Sequence, residues 1–191
     1  MLAESHVPVE RERLIGMTNS IAWHIHETPI GALTLRTGPR GLTRLAFPGR
    51  GSALDPADRE PALLATAAHQ LDEYFGGRRT AFELPLDLAG TPFQRRVWAA
   101  LREIPYGETV TYTELARAVG RPDVVRAVAA AVGRTPVPIL VPCHRVLGAG
   151  GALTGYGGGL ARKQALLDLE RRGAAGLAPE PAWAFRQLAL V

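Results

Sequence analysis

The segment TPFQRRVWAALREIPYGETVTYTELARAVGRPDVVRAVAAAVG (91–133) contains three helical patterns in succession. The first is predicted over 91–104, with Thr91 as N-cap and Pro92 at the first helical position. Its apolar residues recur at helical spacing and share one face, as Phe93, Val97, Trp98 and Leu101. This half of the chain is therefore predicted to be helical.

Two shorter helices are predicted after the turn that follows. One spans 112–120 and ends at Gly120, and the next spans 121–133, opened by Pro122-Asp123 and ended by Gly133. Two helices joined by a short turn containing glycine resemble a helix-turn-helix. Many antiparallel helix pairs share this pattern, so it favours a DNA-binding motif without establishing one.

Downstream lies a long loop, 134–159, with one apolar run at 139–141. A loop of this length in a compact domain is usually functional. A last amphipathic helix is predicted over 160–173. The tail 174–191 is predicted to pack back on the body through three apolar side chains: Trp183, Phe185 and Leu188.

Upstream, the pattern changes to short alternating segments. Strands are predicted over 21–29, 30–38 and 41–49, and the short connections between them favour an antiparallel meander. An amphipathic helix with proline at its start is predicted over 61–77, and the segment 78–90 is predicted to be an extended bridge.

These elements predict an α+β fold. A small N-terminal antiparallel-sheet domain would span 1–90, with 1–19 loosely structured, and a helical C-terminal domain with a winged-helix-like helix-turn-helix would span 91–173. The tail 174–191 would follow.

Composition limits the classes of function. No apolar run reaches about 18 residues, and the acidic N-terminus lacks a signal-peptide core, so a cytoplasmic protein without membrane contact is expected. The formal net charge is +4 and Lys163 is the single lysine. Arginine binds phosphate well, so nucleic acid is a permitted partner, although genomic base composition also explains an arginine bias.

The sole cysteine lies beside a histidine in VPCHRV (141–146). Positive charge near a thiol lowers its pKa, and histidine accepts protons at neutral pH. Neighbouring residues in a strand point to opposite faces, so contact between Cys143 and His144 requires a turn or a bridging water. Taken alone, the pair is more typical of a buried structural cysteine.

The wider context changes this interpretation. From Thr91 to Glu170 the sequence resembles the O6-alkylguanine-DNA alkyltransferase (methylated-DNA–protein cysteine methyltransferase) family. The resemblance rests on PFQRRVWAALREIPYGETVTYTELA, RAVAAAV, PVPILVPCHRV and GYGGGLARKQALLDLE. The N-terminal half fits the family's smaller domain, with a looser sequence match.

The resemblance implies four catalytic residues. Cys143 would accept the alkyl group once and irreversibly, and His144 would take the thiol proton through a water. Glu170 would orient the imidazole, and Tyr112 would donate a proton toward N3 of the guanine.

The resemblance also implies that the partner is double-stranded DNA with alkylated bases. The protein would bind it as a monomer. The second helix of the helix-turn-helix would enter the minor groove, with Arg126 filling the stack that the flipped nucleotide leaves. The small residues Ala127 and Ala130 would permit close approach, and Thr113 would add a DNA contact.

A substrate pocket is implied around the flipped base. Its predicted members are Val146, Tyr156, Gly157, Gly158 and Thr135. Thr135 stands where the family usually has Asn, which predicts a looser hinge between the recognition helix and the active-site segment, with slower repair.

No cofactor or metal is expected. Some relatives bind structural zinc through cysteines and histidines, but this chain has one cysteine. His24 and His26 share one strand face, for which a solvated surface is favoured over a metal site.

Three other functions stay open. A non-enzymatic lesion sensor of the same fold would normally replace the cysteine. A cysteine hydrolase using Cys143, His144 and Glu170 would need an oxyanion hole. A transcription regulator would need base-reading side chains on 121–132, which is poor in them.

Overall fold

A computed structural model describes residues 21–47 and 54–179. Three predictions fall outside the described residues: the loose structure of 1–19, the last residues of the third strand, and the packing of the C-terminal tail beyond 179.

The N-terminal half is a three-stranded sheet covered by one helix. Strands β1 (Ala22–His26), β2 (Leu33–Gly38) and β3 (Gly41–Ala46) pair antiparallel in the order β1-β2-β3. This confirms the predicted meander. Helix α1 (Pro61–Phe75) packs on the sheet and ends at Gly76, as its sequence pattern predicts.

One interpretation of this half is wrong. The face of β1 that carries His24 and His26 is not a solvated surface, because both residues are half-buried. His26 Nε2 lies 2.8 Å from Asp72 Oδ1 on that helix. The described residues contain no group of three or more His, Cys, Asp or Glu side chains able to hold a metal ion.

The segment 78–90 is extended, as predicted, and runs beside β3. The amide of Leu42 donates to the Pro85 carbonyl at 2.8 Å, and the amide of Asp87 donates to the Leu42 carbonyl at 3.0 Å. Gly41 is required at this crossing, because a Cβ there would lie 2.3 Å from the Pro85 oxygen.

The C-terminal half begins with three helices. They are α2 (Pro92–Arg102), α3 (Tyr112–Ala118) and α4 (Val125–Gly133). Capping boxes close the N-termini of α2 and α3: the Thr91 hydroxyl accepts from the amide of Gln94, and Thr111 does the same for Glu114. The predicted helix-turn-helix is α3 and α4.

The predicted start of α4 at Pro122-Asp123 is wrong. The Asp123 carboxylate receives two hydrogen bonds from the Arg121 guanidinium, at 3.1 and 3.2 Å, and so does not cap the helix. Residues 121–124 form a turn, and α4 begins at Val125 without a side-chain cap.

The long loop 134–159 has more structure than its sequence predicts. It contains 3₁₀ turns at Cys143–Arg145 and Ala149–Gly151, and a short strand β5 (Val146–Leu147). This strand pairs in parallel with β4 (Val110–Thr111), next to α3. The last helix, α5 (Leu160–Ala174), lies where it was predicted.

The two halves share a core. Apolar side chains of the sheet and α1 form one buried cluster with residues 137–140 and with Ala165, Leu166 and Leu169 of α5. The α+β fold is thus confirmed, and the segment before Cys143 rests directly on the N-terminal half. No helix within the described ranges is long and apolar enough to span a membrane.

Candidate active site

Cys143 opens a 3₁₀ turn and is 6% exposed. The turn meets the geometric requirement set by the Cys-His pair, because it removes the strand alternation that would point the two side chains apart. The residues leading into it include Ile139, buried with φ of 76°. A β-branched residue in this region is strained by about 1–3 kcal/mol, so the surrounding core must hold the segment in place.

The electrostatics of the thiol differ from the sequence-based expectation. Burial raises the pKa of Cys143 to about 11, although the Thr135 hydroxyl, the Lys163 ammonium and nearby backbone amides lower it. Desolvation of the charged form therefore outweighs the neighbouring positive charge. In the free protein at neutral pH, Cys143 is a protonated thiol.

His144 is fully buried and directed by Glu170. Its Nε2 lies 2.9 Å from Glu170 Oε1, and a carboxylate accepts, so Nε2 carries the proton. Burial lowers the pKa of His144 and keeps the imidazole neutral. Its Nδ1 is buried and has no hydrogen-bond partner among residues 21–47 and 54–179. The ring therefore offers one free, basic nitrogen.

Glu170 collects donors from several elements. Besides His144, its carboxylate accepts from the Tyr74 hydroxyl at 2.7 Å, from Arg145 Nε and Nη2 at 2.8 Å each, and from the Gly107 amide at 3.3 Å. Burial alone would raise the pKa of Glu170, but the bonds from His144 and Arg145 hold it at about 2. The group is a permanent anion with a fixed orientation.

Sequence reasoning missed Tyr74 and Arg145. Arg145 stands next to His144, and its place in that motif was the signal that could have found it. Tyr74 lies 96 residues from Glu170, and nothing local in α1 marks it as more than a core aromatic.

Lys163 holds the backbone around the active-site loop through hydrogen bonds. The side chain is fully buried, and Nζ donates to the carbonyls of Val146 at 2.5 Å and Thr154 at 2.6 Å. Burial lowers the pKa of Lys163. The single lysine of the chain therefore links the backbone at Val146 to the backbone at Thr154.

A cleft of about 1000 Å³ opens over Cys143. Its walls come from β3, α2, α4 and the loop after β5. Four of the five predicted pocket residues line this cleft, namely Thr135, Tyr156, Gly157 and Gly158. Tyr112 lines it as well. Val146 is fully buried beneath the site instead.

Two tyrosines border the cleft. Tyr112, at the first position of α3, is half-buried, and burial together with the nearby Cys143 raises its pKa. The Tyr156 hydroxyl is buried and has no hydrogen-bond partner within the described part of the chain. Both phenols therefore stay protonated at neutral pH.

Thr135 connects α4 to the active-site segment. Its hydroxyl donates to the Val132 carbonyl in the last turn of α4 at 2.8 Å, and it also contacts the Cys143 thiol.

The predicted DNA-contacting residues are all exposed. Arg126, Ala127 and Ala130 are exposed on α4, whereas Val128 and Ala131 on its other face are buried. Thr113 is exposed on α3. Residues 129, 132 and 133 of α4 line the cleft, so this helix joins the exposed surface to Cys143.

Comparisons with known proteins agree with this geometry. Residues 92–172 match the family model described as the 6-O-methylguanine DNA methyltransferase DNA binding domain, and residues 21–88 match the ribonuclease-like domain of the same family. A methylated-DNA–protein-cysteine methyltransferase of Mycolicibacterium paratuberculosis is 49% identical over 80% of this chain and 93% of its own length. One from Mycobacterium leprae is 50% identical over 76% of this chain and 89% of its own.

A solved structure shows the same fold. The crystal structure of Mycobacterium tuberculosis OGT in complex with DNA superposes with a TM-score of 0.76 at 47% identity, covering 83% of this chain and 95% of that one. The family models together span most of this chain. The chain therefore belongs to the 6-O-methylguanine DNA methyltransferase family.

Proposed function

We propose that this protein repairs DNA by moving an alkyl group from O6 of guanine to Cys143 in one irreversible step. The observation that carries the proposal is the arrangement of His144, with one nitrogen bound to Glu170 and the other free, behind a cysteine that faces a cleft of about 1000 Å³. The family and its DNA-bound relative support alkyl transfer in DNA.

The thiol must lose its proton during the reaction, because its pKa of about 11 keeps it protonated beforehand. His144 Nδ1 takes this proton through a water, and Glu170 stabilises the imidazolium that forms. The bond between Sγ and the alkyl carbon forms while the bond from that carbon to O6 breaks. The electron pair stays with the guanine, and Tyr112 donates a proton toward N3 to neutralise it.

The product is a thioether, which water does not readily hydrolyse. Each molecule therefore acts once. A cysteine hydrolase is disfavoured, because such an enzyme must regenerate its thiol after each reaction. A lesion sensor is disfavoured, because it does not use a thiol.

DNA would bind along the exposed face of α4. An alkyl group at O6 is out of reach inside a duplex, so the nucleotide must be flipped into the cleft at a cost of about a few kcal/mol. Arg126, exposed near the start of α4, would occupy the gap in the stack, and Ala127 and Ala130 would let the helix approach the minor groove.

We further propose the domain division 1–90, 91–173 and 174–191, and a monomer as the active form. O4-alkylthymine is a second lesion that would fit the same chemistry.

A titration tests single turnover. Purified protein is incubated with increasing amounts of a duplex that carries one radiolabelled O6-methylguanine, and protein-bound label is counted. Transfer should saturate at one methyl group per protein and be absent in Cys143→Ser. Label transferred or released beyond one equivalent would contradict the proposal.

A further inference from the structure

The lesion pocket has one wall built by the N-terminal half. The cleft over Cys143 is lined by β3 residues 44–46 and by Phe47, which directly follows the strand. Beside Phe47 lies the segment Tyr156–Gly158, which also lines the cleft and contains the predicted base-binding backbone. The N-terminal half thus contributes surface to the site and not merely a platform beneath it.

Arg162 ties these two walls together. Its Nε donates to the Ile30 carbonyl at 2.8 Å, in the connection between β1 and β2, and its Nη1 donates to the Gly158 carbonyl at 3.0 Å. The guanidinium lies 5.4 Å from the centroid of the Phe47 ring. One side chain of α5 therefore contacts the N-terminal sheet and the pocket segment at the same time.

Phe47 is the surface against which the pocket segment packs. A Cβ on Gly158 would lie 2.6 Å from the Phe47 ring, so only glycine permits this approach. The Tyr156 ring meets the same phenyl edge-on at 5.8 Å. Backbone, aromatic and cationic contacts thus converge on Phe47.

We propose that Arg162 and Phe47 are positioning residues that hold the segment Tyr156–Gly158 in the geometry that receives the alkylated base. Neither residue needs to touch the reacting atoms. This inference rests on the proposed function, because it assigns a task to the pocket in alkyl transfer. It makes the N-terminal half part of the lesion-recognition apparatus.

Arg162→Met tests the polar contacts, because methionine has a similar length but cannot donate to the Ile30 and Gly158 carbonyls. Arg171→Met is the matched control on the same helix, where the arginine makes an exposed i,i+3 pair with Asp168. We measure the transfer rate at saturating O6-methylguanine duplex, the Kd for undamaged duplex, and the thermal unfolding midpoint of each variant.

Arg162→Met should lower the saturating rate about tenfold, which corresponds to one lost charged hydrogen bond at the pocket. The Kd for undamaged duplex should not change, because the exposed face of α4 is untouched. Arg171→Met should match the wild type in both the saturating rate and the Kd for undamaged duplex. A saturating rate in Arg162→Met equal to that of the control would overturn the inference.

A second pair of variants covers the case in which Arg162→Met does not fold. Gly158→Ala should slow transfer because its Cβ meets the Phe47 ring, and adding Phe47→Leu should restore part of the rate by making room. No recovery in the double variant would overturn the inference. If the wild-type protein itself transfers no alkyl group, the proposed function fails instead, so the two failures are distinguishable.

Discussion

At Cys143, burial and charge act in opposite directions on one thiol. Burial raises the pKa of this thiol to about 11, although the neighbouring Thr135 hydroxyl and the charge of Lys163 lower it. The resemblance of the longer sequence to a known family, and not the Cys-His pair alone, predicts Cys143 as the nucleophile. The direction of the pKa shift was not predictable, because it depends on how completely the surrounding core excludes water.

The reactivity of Cys143 toward iodoacetamide should report this balance. In the free, folded protein the alkylation rate should rise about tenfold per pH unit through pH 9 and 10, because only the thiolate reacts. The chemically unfolded protein serves as control and should level off near pH 9. A plateau below pH 9 in the folded protein would show that charge, and not burial, dominates.

Tyr74 should tune the proton acceptor. In Tyr74→Phe, Glu170 Oε1 loses a donor at 2.7 Å, so its charge acts more strongly on His144 and raises the pKa of the imidazole. Because His144 must be neutral to accept the thiol proton, the acid limb of the pH–rate profile should move to higher pH. Tyr106→Phe is the control, since that hydroxyl donates to the Leu169 carbonyl at 3.5 Å. Equal profiles for both variants would contradict this role.

At the scale of elements, local chemistry predicted most boundaries. Thr91 and Pro92 fix the start of α2, and glycines mark the ends of α1 and α4. The start of α4 was missed because Asp123 pairs with Arg121 instead of capping. The turn at Cys143 was foreseen only as a requirement, because it is set by contacts with distant segments.

The exposed face of α4 should be sensitive to side-chain size. Ala130→Leu should weaken binding to lesion duplex about tenfold, because the larger side chain keeps the helix from the groove. A tenfold loss of affinity corresponds to a misfit of about 1–2 kcal/mol. Its unfolding free energy should change by less than about 0.5 kcal/mol, since the site is exposed.

Ala65→Leu, on the exposed face of α1, is the control for this substitution. Both variants are compared by fluorescence anisotropy with labelled duplex and by urea unfolding. Unchanged affinity in Ala130→Leu would remove α4 from the DNA interface.

At the scale of the whole molecule, the hydrogen-bond network around Glu170 spans both halves. Tyr74 from α1, Gly107 from the turn before β4 and Arg145 from the active-site turn all converge on Glu170 of α5. The fold class was predictable from sequence patterns, and the family resemblance predicts Cys143 as the nucleophile. This convergence was not, because it joins residues that only tertiary packing brings together.

The network should make the protein unstable in acid. His144 and Glu170 both have a pKa below the ordinary value, so each contributes stability that is present at neutral pH and lost as pH falls. The loss should begin below pH 6.5 through His144. It should continue from 4.5 toward 2 through Glu170, for which the shift corresponds to on the order of 3 kcal/mol.

Urea unfolding between pH 3 and 8 measures this dependence. Glu170→Gln should be less stable at pH 7, because it leaves the Arg145 guanidinium buried without its partner. It should also lose much of the slope below pH 4.5. An unchanged slope in this variant would assign acid sensitivity to other groups.

We propose above all that Cys143 takes the alkyl group. The direct measurement is the intact and peptide mass of purified protein after reaction with a duplex containing one O6-methylguanine. One added methyl group is expected, located on the peptide with Cys143 and absent in Cys143→Ala. Tight binding to the lesion with no change in mass would contradict it and would identify a lesion-binding protein instead.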